Sequence, residues 1–162
     1  MSTIHIRAAK RDDLPALVRI EETCFSADRR SRPQSLRHGL KSPFQCVQVA
    51  VLGREVVGAM TLYLYPRTVR IYSVAVLPEF RRCGAGRRLV KQALQLARRT
   101  GRRAVSLEAA QANRVLTGWY ETFGFRPAET LKDYYSRGCH AVRMRQELPT
   151  TALKGGRARG GS

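Results

Sequence analysis

Arg81-Arg82-Cys83-Gly84-Ala85-Gly86 stands between a short run, Ile71-Tyr72-Ser73-Val74-Ala75-Val76, and a stretch in which Leu89, Val90, Ala93, Leu96 and Ala97 recur at helical spacing. The β-branched run closed by Pro78 predicts a strand and the recurrence predicts a helix, so the glycines fall at a strand-to-helix turn. Lacking Cβ atoms, Gly84 and Gly86 let the backbone approach a ligand closely. The unpaired N–H groups of a first helical turn point at that ligand, with the positive end of the helix dipole behind them. The turn therefore suits an anion such as a pyrophosphate. It is not a Walker loop, since no Gly-Lys-Ser/Thr follows, and Leu89 stands where the dinucleotide-binding fingerprint needs a third small residue. Out of context, a Gly-x-Gly at a helix start is equally ordinary turn chemistry.

The context narrows the choice. A chain of 162 residues has room for one domain with a sizeable core, and 43% hydrophobic residues is ordinary for a globular protein. No run approaches the ~18 apolar residues of a membrane span, and the first residues lack the apolar segment of a signal peptide, which predicts a cytoplasmic protein with no membrane partner. Cys24, Cys46, Cys83 and Cys139 lie far apart with no C-x-x-C, and His5, His38 and His140 show no ligand spacing, so no metal is expected.

The net charge of +18, from 30 Lys and Arg against 12 Asp and Glu, calls for an anionic partner: nucleic acid, a phosphate-rich cofactor or an acidic protein. No helix-turn-helix, zinc-finger or RNP-type pattern supports the first of these. No acidic residue occurs from Arg81 to Leu107, whereas nine basic ones do, so charge concentrates beside the glycine turn. A solvated arginine-rich face is the bland alternative.

Taken in order, Ile4 to Ala8 predicts a strand. Asp12-Asp13-Leu14-Pro15 opens a helix with an aspartate cap, burying Leu14, Leu17, Val18, Ile20 and Phe25. A basic loop containing Arg29, Arg30 and Arg32 follows, then a short helix from Gln34 to Leu40 that also carries Arg37, ended by Gly39 or Ser42-Pro43. This segment is a place where an acidic partner could be read. Gln45 to Leu52 and Glu55 to Tyr65 form a hairpin around Gly53-Arg54, and Val69 to Val76 adds a third strand. After the central helix, stopped at Gly101, come a strand from Ala104 to Leu107 and a helix over Ala112 to Phe123 capped by Asn113. Val115, Leu116, Trp119, Tyr120 and Phe123 cluster on one side of that helix. Strands over Phe125 to Leu131 and Ala141 to Leu148 finish the fold. The fold class is α/β, a single domain over residues 1–148 with a mixed, mostly antiparallel central sheet of about six to seven strands flanked by about four helices. Residues 149–162 predict a flexible Gly/Arg-rich tail, whose basic stretch Lys154 to Arg159 is a possible polyanion contact.

With the elements in this order the chain resembles the GNAT N-acetyltransferases. The family's Arg/Gln-x-x-Gly-x-Gly/Ala pattern at its third main helix stands as Arg81-Arg82-Cys83-Gly84-Ala85-Gly86, and Leu107-Glu108, Asn113 and Trp119-Tyr120-Glu121-Thr122-Phe123-Gly124-Phe125 follow in the family's order. Within the family it is most similar to the enzymes that acetylate the N-terminal alanine of a ribosomal protein. Their Glu, Asn five residues on and Tyr seven further match Glu108, Asn113 and Tyr120. The resemblance implies acetyl-CoA as donor, with its pyrophosphate on the N–H groups from Arg82 through Cys83, Gly84, Ala85 and Gly86 to Arg87, and Arg81 opening that motif. It also implies a pantetheine arm along Val74, Ala75 and Val76, and a contact at Asn113. The acceptor is then a primary amine, first the N-terminus of a protein or peptide. A lysine side chain or small-molecule amine is the competing acceptor, and a basic nucleic-acid- or ribosome-associated module without turnover is a different class altogether.

Chemistry agrees with the leading reading. An α-amine with pKa near 8 arrives largely protonated, so a base must take a proton before attack, and the departing thiolate needs one back. Glu108, the first acid after the long basic stretch, is the base in this reading, and Tyr120 the acid; a backbone N–H near Val76 is the family's answer to charge growing on the carbonyl oxygen. Each has a simpler explanation: Glu108 neutralising arginines, Tyr120 as a core tyrosine, Asn113 as a helix cap. Cys83 has no catalytic partner beside it in the sequence. Two departures bear on the acceptor: Ala110 where the subfamily commonly has arginine, and Thr117-Gly118 in place of small apolar residues. Asp133-Tyr134-Tyr135 instead resembles the subfamily's Asn/Gly-Tyr-Tyr signature near the peptide-binding end and favours a peptide-like acceptor, with closure of the core after the sixth strand as the simpler explanation.

Overall fold

A computed structural model of the chain describes residues 3–149. Its strands are β1 (Ile4–Ala8), β2 (Gln45–Leu52), β3 (Glu55–Leu64), β4 (Thr68–Val76), β5 (Ala104–Ala110), β6 (Arg126–Ser136) and β7 (Cys139–Glu147). The α-helices are α1 (Leu14–Cys24), α2 (Pro33–Lys41), α3 (Ala85–Arg99) and α4 (Arg114–Glu121). The strands make one seven-stranded sheet in the order β1-β2-β3-β4-β5-β7-β6, the α/β architecture the sequence predicts. The predicted tail, residues 149–162, lies outside those described apart from Pro149. Among the described residues no helix is long and apolar enough to cross a membrane.

The chain divides into two compact units, one of residues up to Leu64 together with Arg70–Ala93, the other of Tyr65–Val69 and the residues from Leu94 onward. In the first, β1, β2 and β3 are antiparallel, and Leu52 faces Glu55 across the two-residue turn in which Gly53 takes φ 64°. Leu17 of α1 packs on Val49 and Val51 of β2, with Leu36 and Leu40 of α2 against the same cluster. Both helices thus cover one sheet face with apolar residues.

The entry to α1 departs from the sequence reading. A 3-10 turn, Arg11–Asp13, precedes the helix, and the Asp13 side chain does not cap it. Instead the carboxylate accepts two bonds from Arg7, at 2.7 Å and 3.0 Å, and one from the Lys10 N–H at 2.7 Å. A bidentate guanidinium and a backbone donor outweigh a single cap bond worth ~1 kcal/mol. The Arg7 bonds, against an opposing effect of burial, hold the Asp13 carboxyl below its usual range. A folded-state pKa below the unfolded one gives stability that is present above the unfolded pKa and lost as pH falls through the folded one. Asp13→Asn is accordingly expected to lower stability by about 1–2 kcal/mol at neutral pH in urea titrations, and the difference should close as pH falls through the folded-state pKa of Asp13.

Helix α2 starts at Pro33, at its first turn, passes through Gly39 and ends at Lys41 with Ser42 as its C-cap, the second of the two predicted stops. A Cβ on Gly39 would meet Gln45 Oε1 at 2.5 Å, the tip of a flexible side chain that can swing aside, so the contact is close without making glycine obligatory.

In the second unit β7 lies between β5 and β6, antiparallel to both. Strand β5 begins at Ala104 as predicted and runs to Ala110, so Glu108 sits inside a paired strand. Strand β6 extends past Leu131 to Ser136, with its register interrupted where Asp133 takes φ 54°. That residue's N–H donates to His140 Nδ1 at 2.9 Å, and its Oδ1 accepts from the Gly138 N–H at 2.7 Å, which holds the kink. Gly101, at φ 73°, ends α3, with the Arg102 N–H donating back to the Ala97 carbonyl at 2.9 Å. On α4 the predicted cluster is partly corrected: Tyr120 is buried, but Val115 is 86% exposed. Five residues separate them, about 140° around a helix, so they face different ways.

Candidate active site

The glycine turn and the strand before it belong to the first unit. Gly84 has φ +86° with nothing within 4 Å of where a Cβ would stand, so backbone conformation demands the glycine and the side it leaves bare is open space. The first helical bond of α3 runs from the Arg88 N–H to the Gly84 carbonyl at 3.1 Å, which leaves the N–H groups of Ala85 and Gly86 without a helical acceptor. Arg82 and Arg87 are exposed beside them. An open, positively flanked turn of this kind fits a pyrophosphate. Arg88 is used differently: its guanidinium donates to the Ile4 carbonyl and ties α3 to β1.

The other residues of the motif brace the turn. Arg81 Nε donates to the Val76 carbonyl at 3.0 Å, and Cys24 Sγ approaches the same oxygen at 3.5 Å. Val76 is buried, while Val74 and Ala75 are half-buried. Cys83 is exposed, and its Sγ donates to the Phe80 carbonyl at 2.7 Å. Burial pushes the Cys24 thiol up from its ordinary pKa, against a smaller opposing effect of Arg81.

Glu108, Asn113 and Tyr120 belong to the second unit. The Glu108 side chain is only 5% exposed, and its Oε2 accepts from Arg143 Nε at 3.3 Å. Arg143 stands opposite Glu108 in the β5–β7 register and opposite Glu129 in the β7–β6 register, and it donates to Glu129 Oε2 at 3.2 Å. One arginine on the middle strand thus fixes a carboxylate on each neighbour. Sequence reasoning missed Arg143, because only the strand register puts it beside Glu108, 35 residues away.

Asn113 caps α4, its Oδ1 accepting from the Leu116 N–H at 3.1 Å, so its local role is structural. Tyr120 is 7% exposed, its ring edge-on to Trp119 at 5.0 Å and to Phe125 at 5.8 Å. Burial, with a smaller contribution from Tyr135, pushes its phenol up to about 12. The hydroxyl stays protonated at any physiological pH. No group of three or more His, Cys, Asp or Glu among the described residues is arranged to hold a metal ion.

The first unit also contains a cavity of about 810 Å³ beneath α1, α2 and the loop between them, floored by Ala59 and Thr61 of β3 and Ser73 and Ala75 of β4. Glu21 on its wall is 8% exposed and accepts from the Ser31 N–H at 2.9 Å, which ties the loop to α1. Burial raises the Glu21 carboxyl above its ordinary pKa, with the Ser31 bond and Arg30 opposing. Arg30 also lines the cavity; it donates to the Phe25 carbonyl at 3.2 Å, but its buried Nε has no acceptor.

Residues 14–125 match the Acetyltransferase (GNAT) family. An N-alpha-acetyltransferase of Sulfolobus acidocaldarius is 31% identical over 88% of this chain and 92% of its own. A Bacillus subtilis protein provisionally named a ribosomal protein bS18-alanine N-acetyltransferase is 24% identical over 81% of this chain and 86% of its own. The crystal structure of the ribosomal-protein-S18-alanine N-acetyltransferase from Escherichia coli superposes with a TM-score of 0.81 at 19% identity, over 90% of this chain and 94% of that one, which establishes a common fold. A match over most of the chain, with the glycine turn at its centre, makes this protein an N-acetyltransferase of the GNAT family.

Proposed function

We propose that the enzyme moves an acetyl group from acetyl-CoA to the N-terminal α-amine of a protein or peptide, alanine first, by direct attack, with Glu108 as general base and Tyr120 as general acid. The observation that carries the proposal is the pairing of chemical roles in the second unit: a nearly buried carboxylate held in place by Arg143, and a buried phenol whose proton is retained. The names of the Sulfolobus and Bacillus relatives support the acceptor class.

Acetyl-CoA supplies the activated acyl thioester. The bare side of Gly84 and the N–H groups of Ala85 and Gly86 bind its diphosphate, with Arg82 and Arg87 adding charge, and the end of β4 from Val74 to Val76 orients the acyl arm. Glu108 takes the amine proton, directly or through a water. Tyr120 holds a proton toward the leaving sulfur. An α-amine suits this machinery: at pH 7.5 it is neutral roughly two hundred times more often than a lysine amine, from pKa values near 8 and 10.4, so the base has far less to do. In the same reading the enzyme acts in the cytoplasm.

The test is release of CoA from acetyl-CoA with three acceptors in parallel: peptides with a free alanine N-terminus, N-blocked peptides containing lysine, and small polyamines. Turnover concentrated on the first class is expected; turnover confined to either other class would replace the acceptor. The +18 charge favours an additional contact with a polyanion such as ribosomal RNA. If so, retention on immobilised RNA weakens steeply between about 50 and 200 mM salt, whereas salt-insensitive or absent retention removes that contact.

A further inference from the structure

The cavity of the first unit says something about the acceptor beyond its amine. Its floor on β3 and β4 combines the small residues Ala59, Thr61, Ser73 and Ala75 with Tyr63 and Tyr72, and its upper wall is the loop and first turn of α2, carrying Arg29, Arg30 and Arg32. The acidic groups in the same lining are Glu21 and Asp28, and both are engaged within the loop: Glu21 Oε2 accepts from the Ser31 N–H, and Asp28 Oδ1 accepts from Ser26 Oγ at 2.6 Å. Arg29 stands beside Asp28 and holds part of that charge in balance. Arg32, at the N-terminal boundary of α2, makes no ion pair among the described residues, and the buried Nε of Arg30 has no acceptor oxygen. A buried guanidinium donor left unpaired is costly, so an incoming oxygen there gains more than an exposed contact would. His38, Tyr63 and Tyr72 also face the cavity, and none of them is a carboxylate.

We propose that this cavity receives the first residues of an acidic peptide, with carboxylates following the acceptor amine pairing with Arg30 and Arg32. The inference rests on the α-amine reading of the function and adds a sequence class to it. The arginines act by charge and geometry at the entrance, and the cavity of about 810 Å³ beneath them leaves room for an extended backbone.

Three free-alanine peptides of equal length test it, differing only at the next three positions: acidic, uncharged polar, or basic. Wild type is expected to use the acidic peptide with kcat/KM about tenfold above the uncharged one and further above the basic one, the ratio shrinking at high salt as exposed charge pairs are screened. Arg32→Glu, an exposed charge reversal that should not disturb folding, is expected to erase or invert the order. Arg30→Gln, checked for folding by circular dichroism, should reduce it. Calorimetric binding of the same peptides in the presence of CoA gives the same ranking without turnover. Equal use and equal binding of all three peptides, or preference for the basic one, would overturn the proposal. An N-blocked acidic peptide containing lysine separates the two readings. If it is the only acidic peptide acetylated, the α-amine assignment fails while the acidic preference stands. If free-alanine peptides are acetylated without regard to charge, the reverse holds.

Discussion

Glu108→Gln is expected to lower kcat for a free-alanine peptide by about a hundredfold or more, the range that loss of a positioned general base produces, while leaving acetyl-CoA affinity close to wild type. The amide keeps the size of the carboxylate and can still meet Arg143 through its oxygen, so β5 and β7 stay paired and the loss reads chemistry rather than folding. Arg143→Met gives the complementary result. Removing the guanidinium breaks the Arg143 ion pairs to Glu108 and Glu129 together; the expected loss is smaller, roughly tenfold in kcat, and Arg143→Lys should restore part of it if positioning is the role. An unchanged kcat in Glu108→Gln at saturating peptide would assign the carboxylate to neutralising Arg143 and remove it from the mechanism.

Tyr120→Phe is expected to lower kcat by roughly tenfold to a hundredfold at neutral pH with little change in KM, because it deletes one proton donor and keeps the ring packed against Trp119 and Phe125. The raised phenol pKa sets the limits of its role. Against a leaving thiol of ordinary pKa ~8.5, complete transfer from a phenol at about 12 is uphill by roughly 5 kcal/mol. In the proposed mechanism, then, the part left to Tyr120 is chiefly to hydrogen-bond the sulfur as charge develops. The same shift protects the enzyme at alkaline pH: an ordinary tyrosine is half ionised at pH 10, whereas Tyr120 is almost wholly protonated there. A wild-type kcat that holds to pH 10, with folding verified at the same pH, is the expected profile; a halving near pH 10 that Tyr120→Phe abolishes would place the phenol at its ordinary value. Stability runs the other way. A folded pKa above the unfolded one contributes stability that is complete below pH 10 and is lost as pH rises toward 12.

The parts of the molecule legible in the sequence are those whose physical demand is local. Gly84 and Gly101 both take positive φ, a demand that only glycine meets cheaply, and both sit at predicted helix boundaries. The Gly53-Arg54 hairpin and the apolar repeat of α3 are likewise written in consecutive residues. What escaped depends on partners distant in sequence or competing for one side chain. Asp13 resembles a helix cap until Arg7 is brought beside it by β1. Val115 falls within an apolar cluster by count but not by angle. Arg143 carries no signal of its own; it becomes part of the site only through a β5–β7 register that single-residue slippage would destroy. The arginines of the α1–α2 loop were visible as charge, but not the cavity they overhang or the unpaired Nε of Arg30.

The most direct test of the central claim is a competition inside one molecule. A peptide carrying a free N-terminal alanine, two acidic residues after it and a lysine further along is incubated with enzyme and acetyl-CoA, quenched at low conversion, and sequenced by tandem mass spectrometry. The account predicts the acetyl group on the α-amine, with no acetylated enzyme preceding the product. Acetyl on the lysine Nζ, or an acetylated enzyme cysteine that appears first and decays into product, would contradict it.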